Sequence, residues 1–291
     1  MPDFIIDDTN AAAPEANDGP KGCVPRDFTV QPRKLEAVAF PLIPRVEWPE
    51  RIREAEAKKS RLSDIRMRGN FGKPIPSLDQ NSGRNDQRWG YCWNHSGTHA
   101  AMLLRAKANL PYVALSAFAG AATIKQGRND GGWGAQGLQF GIEHGYPSQA
   151  FWPQNNVDLR NGTPECWADA ARHKVVEDWL DLNTPIYAQR LTFDQVGTLL
   201  LSNIPVIGDF NWWGHSVCIM DLVNGGTQGL RAESGKLADL DEQLKAFELT
   251  DGFDDRIWNS WSDSFGELGT AVLRGTRAIP DQAAAPLTLS A

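Results

Sequence analysis

Cys92 stands between two aromatic residues in 87-QRWGYCWNHSGTH-99, at the head of a helix-like run, with His95 and His99 just behind it. Three chemistries fit that arrangement. A lone cysteine is often a small buried hydrophobe. His95 and His99, four residues apart on one helix face, could hold zinc beside it. The third is nucleophilic catalysis. A thiol pKa near 8.5 falls at a helix N-terminus, where unpaired N–H groups and the helix dipole favour a thiolate, and falls again beside an imidazolium. The zinc-protease pattern needs Glu after its first histidine, and Ser96 is there instead, so His95 and His99 read as ordinary polar residues of the helix. A base for a nucleophilic Cys92 must then come from downstream. His215, in 211-NWWGHSVCIM-220, leads a strand-like run that would hold its ring rigidly. Asn259, in 257-IWNSWSDSFGELG-269, could accept a ring N–H without adding charge, with Trp258 and Trp261 beside it to exclude water. Cys218 reads as core, and Cys23 and Cys166 as incidental.

The elements that must position these residues follow from local pattern. Residues 1–50 are acidic and then Pro-rich, which prevents long helices and predicts an extended arm. A charged surface helix is predicted over 49–68, with Pro49 in its first turn and Glu and Arg or Lys at helical spacing. Residues 69–86 are loop-forming. Helices are predicted over 93–109, around 113–126, and over 134–144 up to Gly145. Past residue 185 the pattern turns to strands: IYAQRLTF, PVIGDFNW, HSVCIMDLV and TAVLRGTRAI, each bounded by turn formers. Helices first and strands second make an α+β arrangement.

Bulk composition narrows the partners. With 291 residues and 41% hydrophobic content the chain can bury a sizeable core. A net charge of −7 with no basic stripe argues against nucleic acid, and no run approaches the ~20 apolar residues of a membrane helix. The N-terminus lacks the basic and apolar regions of a secretory signal. Four scattered cysteines without a C-x-x-C pair fit a reducing compartment, so the expected location is the cytoplasm or a virus particle or other assembly. Eleven tryptophans point to extensive aromatic packing or a lined cleft.

Together these segments resemble the papain family of cysteine peptidases. Gln87 with Cys92-Trp93, the Gly131-Gly132 pair, the strand-leading His215, and Asn259-Ser260-Trp261 with 265-FGELG-269 occur in the family's order over residues 75–278. The resemblance implies a two-lobed α+β fold. Its domains would be a Pro-rich arm and charged helix (1–70), a helical lobe with the cysteine (71–185), a β-barrel-like lobe with His215 and Asn259 (186–280), and a tail (281–291). It implies hydrolysis of peptide amides: Cys92 attacks, His215 carries the proton, and Asn259 orients His215. Gln87 would donate to the oxyanion, and Gly131, Gly132 and Trp261 would bind a peptide or protein substrate. No metal or cofactor is implied. The chain departs from the family in four places. Asp86 stands where the oxyanion glutamine usually does, one residue before Gln87. Positions near Trp89 and at Asn129 lack the family's paired cysteines. The interval of 123 residues from Cys92 to His215 is close to the usual one of about 130. The 44 residues from His215 to Asn259 are more than usual, which predicts an insertion around 229–249. The competing reading is a papain-fold scaffold with reduced or no activity, assembling with copies of itself or other chains through its N-terminal arm. A third is amidase or transferase chemistry on the same thiol.

Overall fold

The structure, a computed structural model, describes residues 5–6, 22–32, 34, 40–68, 89–183, 193–222, 258–261, 270–273 and 280–288. Within them lie helices α1 (Trp48–Lys58), α2 (Leu62–Arg68), α3 (Cys92–Lys107), α4 (Ala117–Lys125), α5 (Gly134–His144), α6 (Pro164–Arg172) and α7 (Phe193–Leu201). The strands are β1 (Ile5–Ile6), β2 (Asp178–Asp181), β3 (Val206–Phe210), β4 (His215–Leu222), β5 (Trp258–Trp261), β6 (Thr270–Leu273) and β7 (Gln282–Leu287). They form one seven-stranded sheet in the order β1-β6-β5-β4-β3-β7-β2. Its pairings are antiparallel except β1 with β6, which is parallel.

β4 is the central strand and is buried along its whole length. Cys218 and Met220 join the core formed with α3 and α5, while Val217 and Ile219 join the core under α1 and α7. A strand covered on both faces has no polar side to show, so HSVCIMDL reads as a nearly unbroken apolar run. A third core, of Tyr91, Trp93, Phe118, Trp152 and Cys166, closes the helical part around α4 and α6. α5 ends as its sequence predicts, at Gly145 with φ 80°.

The structure departs from the sequence reading in several elements. The helix expected over 49–68 is two helices, because Lys59 adopts the left-handed conformation (φ 52°) and its N–H closes the end of α1 on Ala55 and Glu56. Neither is merely a surface helix, since Trp48, Ile52, Leu62 and Ile65 are buried. Phe193, the end of the strand expected at IYAQRLTF, begins α7; the residues before it, like the insertion expected around 229–249, lie outside the described residues. The segment expected as a tail contributes β7, inserted between β3 and β2. Its sequence, QAAAPL, has little β propensity. Burial of Ala283, Ala284 and Ala285 between two neighbouring strands decides its conformation.

Part of the expected extended arm is an integral piece of the fold. Arg26 forms a buried ion pair with Asp181 at 3.0 Å, the two side chains 2% and 0% exposed. Its guanidinium also donates to the carbonyls of Gln31 and Pro32, and its backbone N–H to Gln282. Asp181 in turn accepts from the backbone N–H groups of Lys34 and Asn183. Removing one partner of such a pair leaves an uncompensated buried charge. Arg26→Ala is therefore expected to lower unfolding stability by about 3–5 kcal/mol in urea titrations, and Arg26→Met with Asp181→Leu to recover most of it.

Candidate active site

Cys92 is the first residue of α3 and is fully buried. The helix is set on the sheet next to it by a hydroxyl pair, Ser96 Oγ to Ser216 Oγ at 2.9 Å. That seam brings the Ser216 backbone N–H to the Cys92 sulfur, alongside the N–H groups of Trp93 and Cys23. Ser216 directly follows His215, so the seam sets the head of α3 beside the start of β4. His215 is itself buried, opposite Phe210 in the β3–β4 register, with the Trp213 ring edge-on at 4.7 Å between centroids.

A short stretch of the arm lies across this junction. Val24 N–H donates to Gly132 O and Gly132 N–H to Gly22 O, each at 2.9 Å, so Gly22–Val24 runs parallel to the chain at Gly132. On its other side Cys23 N–H donates to Gly214 O at 2.9 Å, in the turn before His215. We call Gly22–Val24 the strap. Its seat needs small residues. Gly22 has φ +82°, and a Cβ there would come within 1.8 Å of Gly90 O; a Cβ at Gly132 would strike the Trp93 ring at 2.6 Å. Gly131 and Gly132, expected to bind substrate, thus already hold a backbone strand supplied by the same chain. Cys23, read from sequence as incidental, sits in the centre of the site.

Under the strap Cys92 does not have the lowered pKa expected of a helix-start cysteine. Burial pushes it up to about 12, outweighing the Ser216, Trp93 and Cys23 N–H groups that act the other way. Desolvation of a charge in a dry site exceeds what three amide dipoles return. Cys23 is likewise raised, first by burial and then by Asp209 and Cys92.

Asp209 is a buried polar residue that pattern reading passed over. It lies on β3 opposite Ser216, accepts Gly134 N–H at 2.9 and 3.1 Å at the start of α5, and is hydrogen-bonded by Ser216 and Cys23. Burial raises its pKa to about 6 against those donors and Arg26. The available signal was an aspartate inside the apolar strand VIGDF. Ser96 and Ser216 gave none, because a serine at a helix or strand position is ordinary.

Of the other expected residues, Asn259 is not brought to His215. The β4–β5 register sets Asn259 opposite Asp221, with a bulge between Ile219 and Asp221. Asp221 is six residues along β4 from His215, roughly 20 Å at about 3.3 Å per residue. The backbone of Trp261 pairs with Cys218 and Thr270. Gln87 lies outside the described residues. His95 and His99 are buried in α3 with ring centroids 6.1 Å apart, and among the described residues no group of three or more His, Cys, Asp or Glu could hold a metal. Where the family's paired cysteines are missing, Asn129 Oδ1 accepts Gly90 N–H at 2.6 Å, tying the same two segments by a hydrogen bond.

The sequence matches no family model. No curated protein matches it either. Among solved structures it is similar to xylellain, a cysteine protease from Xylella fastidiosa, at 12% identity and a TM-score of 0.53, covering 94% of this chain and 98% of that one. It also matches the digestive procathepsin L 3 of Tenebrio molitor larval midgut (13% identity, TM-score 0.46, 72% and 66% covered). A further match is the proform of Amb a 11, a cysteine protease and ragweed pollen allergen (12%, 0.45, 70% and 61%). The chain has the papain-like α+β fold.

Two outcomes follow for the site. Gly22→Ala cannot keep the strap seated, and even ~1.4 kcal/mol of lost seating gives about a tenfold rise in alkylation rate of Cys92 by iodoacetamide. An unchanged rate would show that the strap does not close the site. Asp209 binds its proton more tightly folded than unfolded, so its contribution to stability is largest below its ordinary pKa of 3.8 and is lost as pH rises through about 6. Denaturant titrations from pH 4 to 6.5 should show a fall of at most ~3 kcal/mol in wild type that is absent in Asp209→Asn.

Proposed function

We propose that the chain is a thiol peptidase cleaving peptide amides through an acyl-enzyme on Cys92, with His215 as the base. The observation that carries this reading is the seam at the head of α3. It holds the Cys92 sulfur against the backbone N–H of the residue that follows His215. The papain-like fold supports it, since xylellain, described as a cysteine protease, shares that architecture over nearly the whole chain.

In this reading His215 takes the thiol proton as the sulfur attacks the scissile carbonyl, and returns it to the leaving amine. The N–H groups at the start of α3, with Gln87, stabilise charge that appears on the carbonyl oxygen in the transition state. The strap must lift first. Gly132 then offers substrate the backbone groups that Gly22 and Val24 occupy, with Gly131 beside it, and water admitted to the cleft lets the helix-start N–H groups favour the thiolate. No metal or cofactor is called for.

The scaffold reading has an observation of its own: Cys92 is completely covered. The two separate in one experiment. Reduced Gly22→Ala protein, with Cys92 shown accessible by alkylation, is incubated with a fluorogenic peptide library. Peptide cleavage is expected, with kcat/KM falling roughly 10⁴-fold in Cys92→Ala and His215→Ala made on that background. Asn259→Ala should cost less than about tenfold, because a residue about 20 Å along the strand cannot orient the ring. No cleavage by an accessible thiol would favour the scaffold.

A further inference from the structure

The strap does more than cover Cys92: it delivers a second thiol to it. The Cys23 amide faces the Cys92 sulfur while its N–H is held on Gly214 O at 2.9 Å. Gly22 lies against Gly90, two residues before Cys92, and the Cys92 sulfur is close enough to the Cys23 thiol to raise its pKa. We propose that Cys23 and Cys92 form a reversible disulfide that fastens the strap over the nucleophile and makes access to the site redox-controlled.

Three features of the molecule favour this pair. The strap cannot drift away, because Arg26, three residues beyond Cys23, is locked in its buried ion pair with Asp181. A tether that short keeps the second thiol at an effective concentration of order millimolar even when the strap lifts. The backbone seat is built for one register, since Gly22 alone can pass Gly90 O. The remaining cysteines are placed elsewhere, Cys166 in the core around α4 and α6 and Cys218 in the core between α3 and β4. All four cysteines are buried and unlinked in the structure.

The oxidant is a small-molecule disulfide such as oxidised glutathione. The Cys23 thiolate attacks it when the strap lifts, giving a mixed disulfide and one released thiol. The Cys92 thiolate then attacks the Cys23 sulfur and expels the second thiol. Two protons and two electrons leave the protein, and one disulfide becomes two thiols. Burial holds both thiols protonated while the strap is seated, so exchange proceeds through the lifted state and is slow. A dithiol reverses it. The effect on turnover rests on the peptidase reading; the disulfide does not.

The test uses the full chain equilibrated with oxidised glutathione, alkylated, digested without reduction and mapped by mass spectrometry. A linked peptide pair carrying Cys23 and Cys92 is expected in wild type, with Cys166 and Cys218 alkylated after unfolding. Cys23→Ser should give no link and a glutathione adduct on Cys92 instead. Peptide cleavage by the linked form should be at least about 100-fold below the reduced form and return with dithiothreitol, since the disulfide occupies the attacking sulfur itself. Glutathione adducts alone in wild type, or links through Cys166 or Cys218, would overturn the pairing. A linked form as active as the reduced one would overturn the lock. A linked form whose reduced, Gly22→Ala counterpart cleaves nothing would leave the disulfide standing and remove the peptidase reading.

Discussion

The junction of α3 with β4 underlies the candidate site, because Cys92 begins the helix and His215 the strand that it joins. The Ser96–Ser216 hydroxyl pair, at 2.9 Å, replaces apolar packing at the end where α3 and β4 begin. Farther along, Ala100 to Ala106 of the helix and Cys218 and Met220 of the strand share one core. A close-packed core of this kind transmits displacement instead of absorbing it. A change in side-chain volume deep in α3 would therefore move the sulfur relative to β4. Buried hydroxyls with satisfied partners give the junction a single register where apolar contact alone would let it slide.

Two opposing electrostatic effects act on the same sulfur. The helix start and the Ser216, Trp93 and Cys23 N–H groups favour the thiolate, and burial opposes it more strongly, leaving the pKa near 12. The Ser216 and Trp93 donors belong to the helix and the sheet, and the strap lies across the same sulfur and adds the Cys23 donor. The anchor at Arg26 and Asp181 holds the end of the strap that follows Val24 on the fold. Such a segment differs physically from one that dissociates, because its return is intramolecular and fast.

Much of this was legible in the sequence. α3 and α5 were visible because their limits are set by adjacent residues, with Gly145 closing α5 by its positive φ. β3 and β4 were visible as apolar runs. Cys92, His215 and Gly131-Gly132 were singled out as candidates from residue type and order. α7 was not, since Phe193 continues a β-branched and aromatic stretch and Gly197 weakens the helical pattern. Nor was β7, whose alanines and proline gain a strand conformation only from the two neighbours that flank them.

What the sequence alone determined is the set of groups able to do thiol chemistry and the elements that present them, because helix starts, strand runs and turns are written in neighbouring residues. Tertiary structure decided how those groups meet. Strand register placed Asn259 opposite Asp221 and away from His215. Packing buried Cys92, which reversed the pKa direction that its helix position suggests. It also carried Cys23 across 69 positions of sequence to Cys92. Desolvation and register depend on what lies alongside in space. No local pattern in the chain encodes them, and so a cysteine in a Pro-rich arm looked incidental until the fold closed over Cys92.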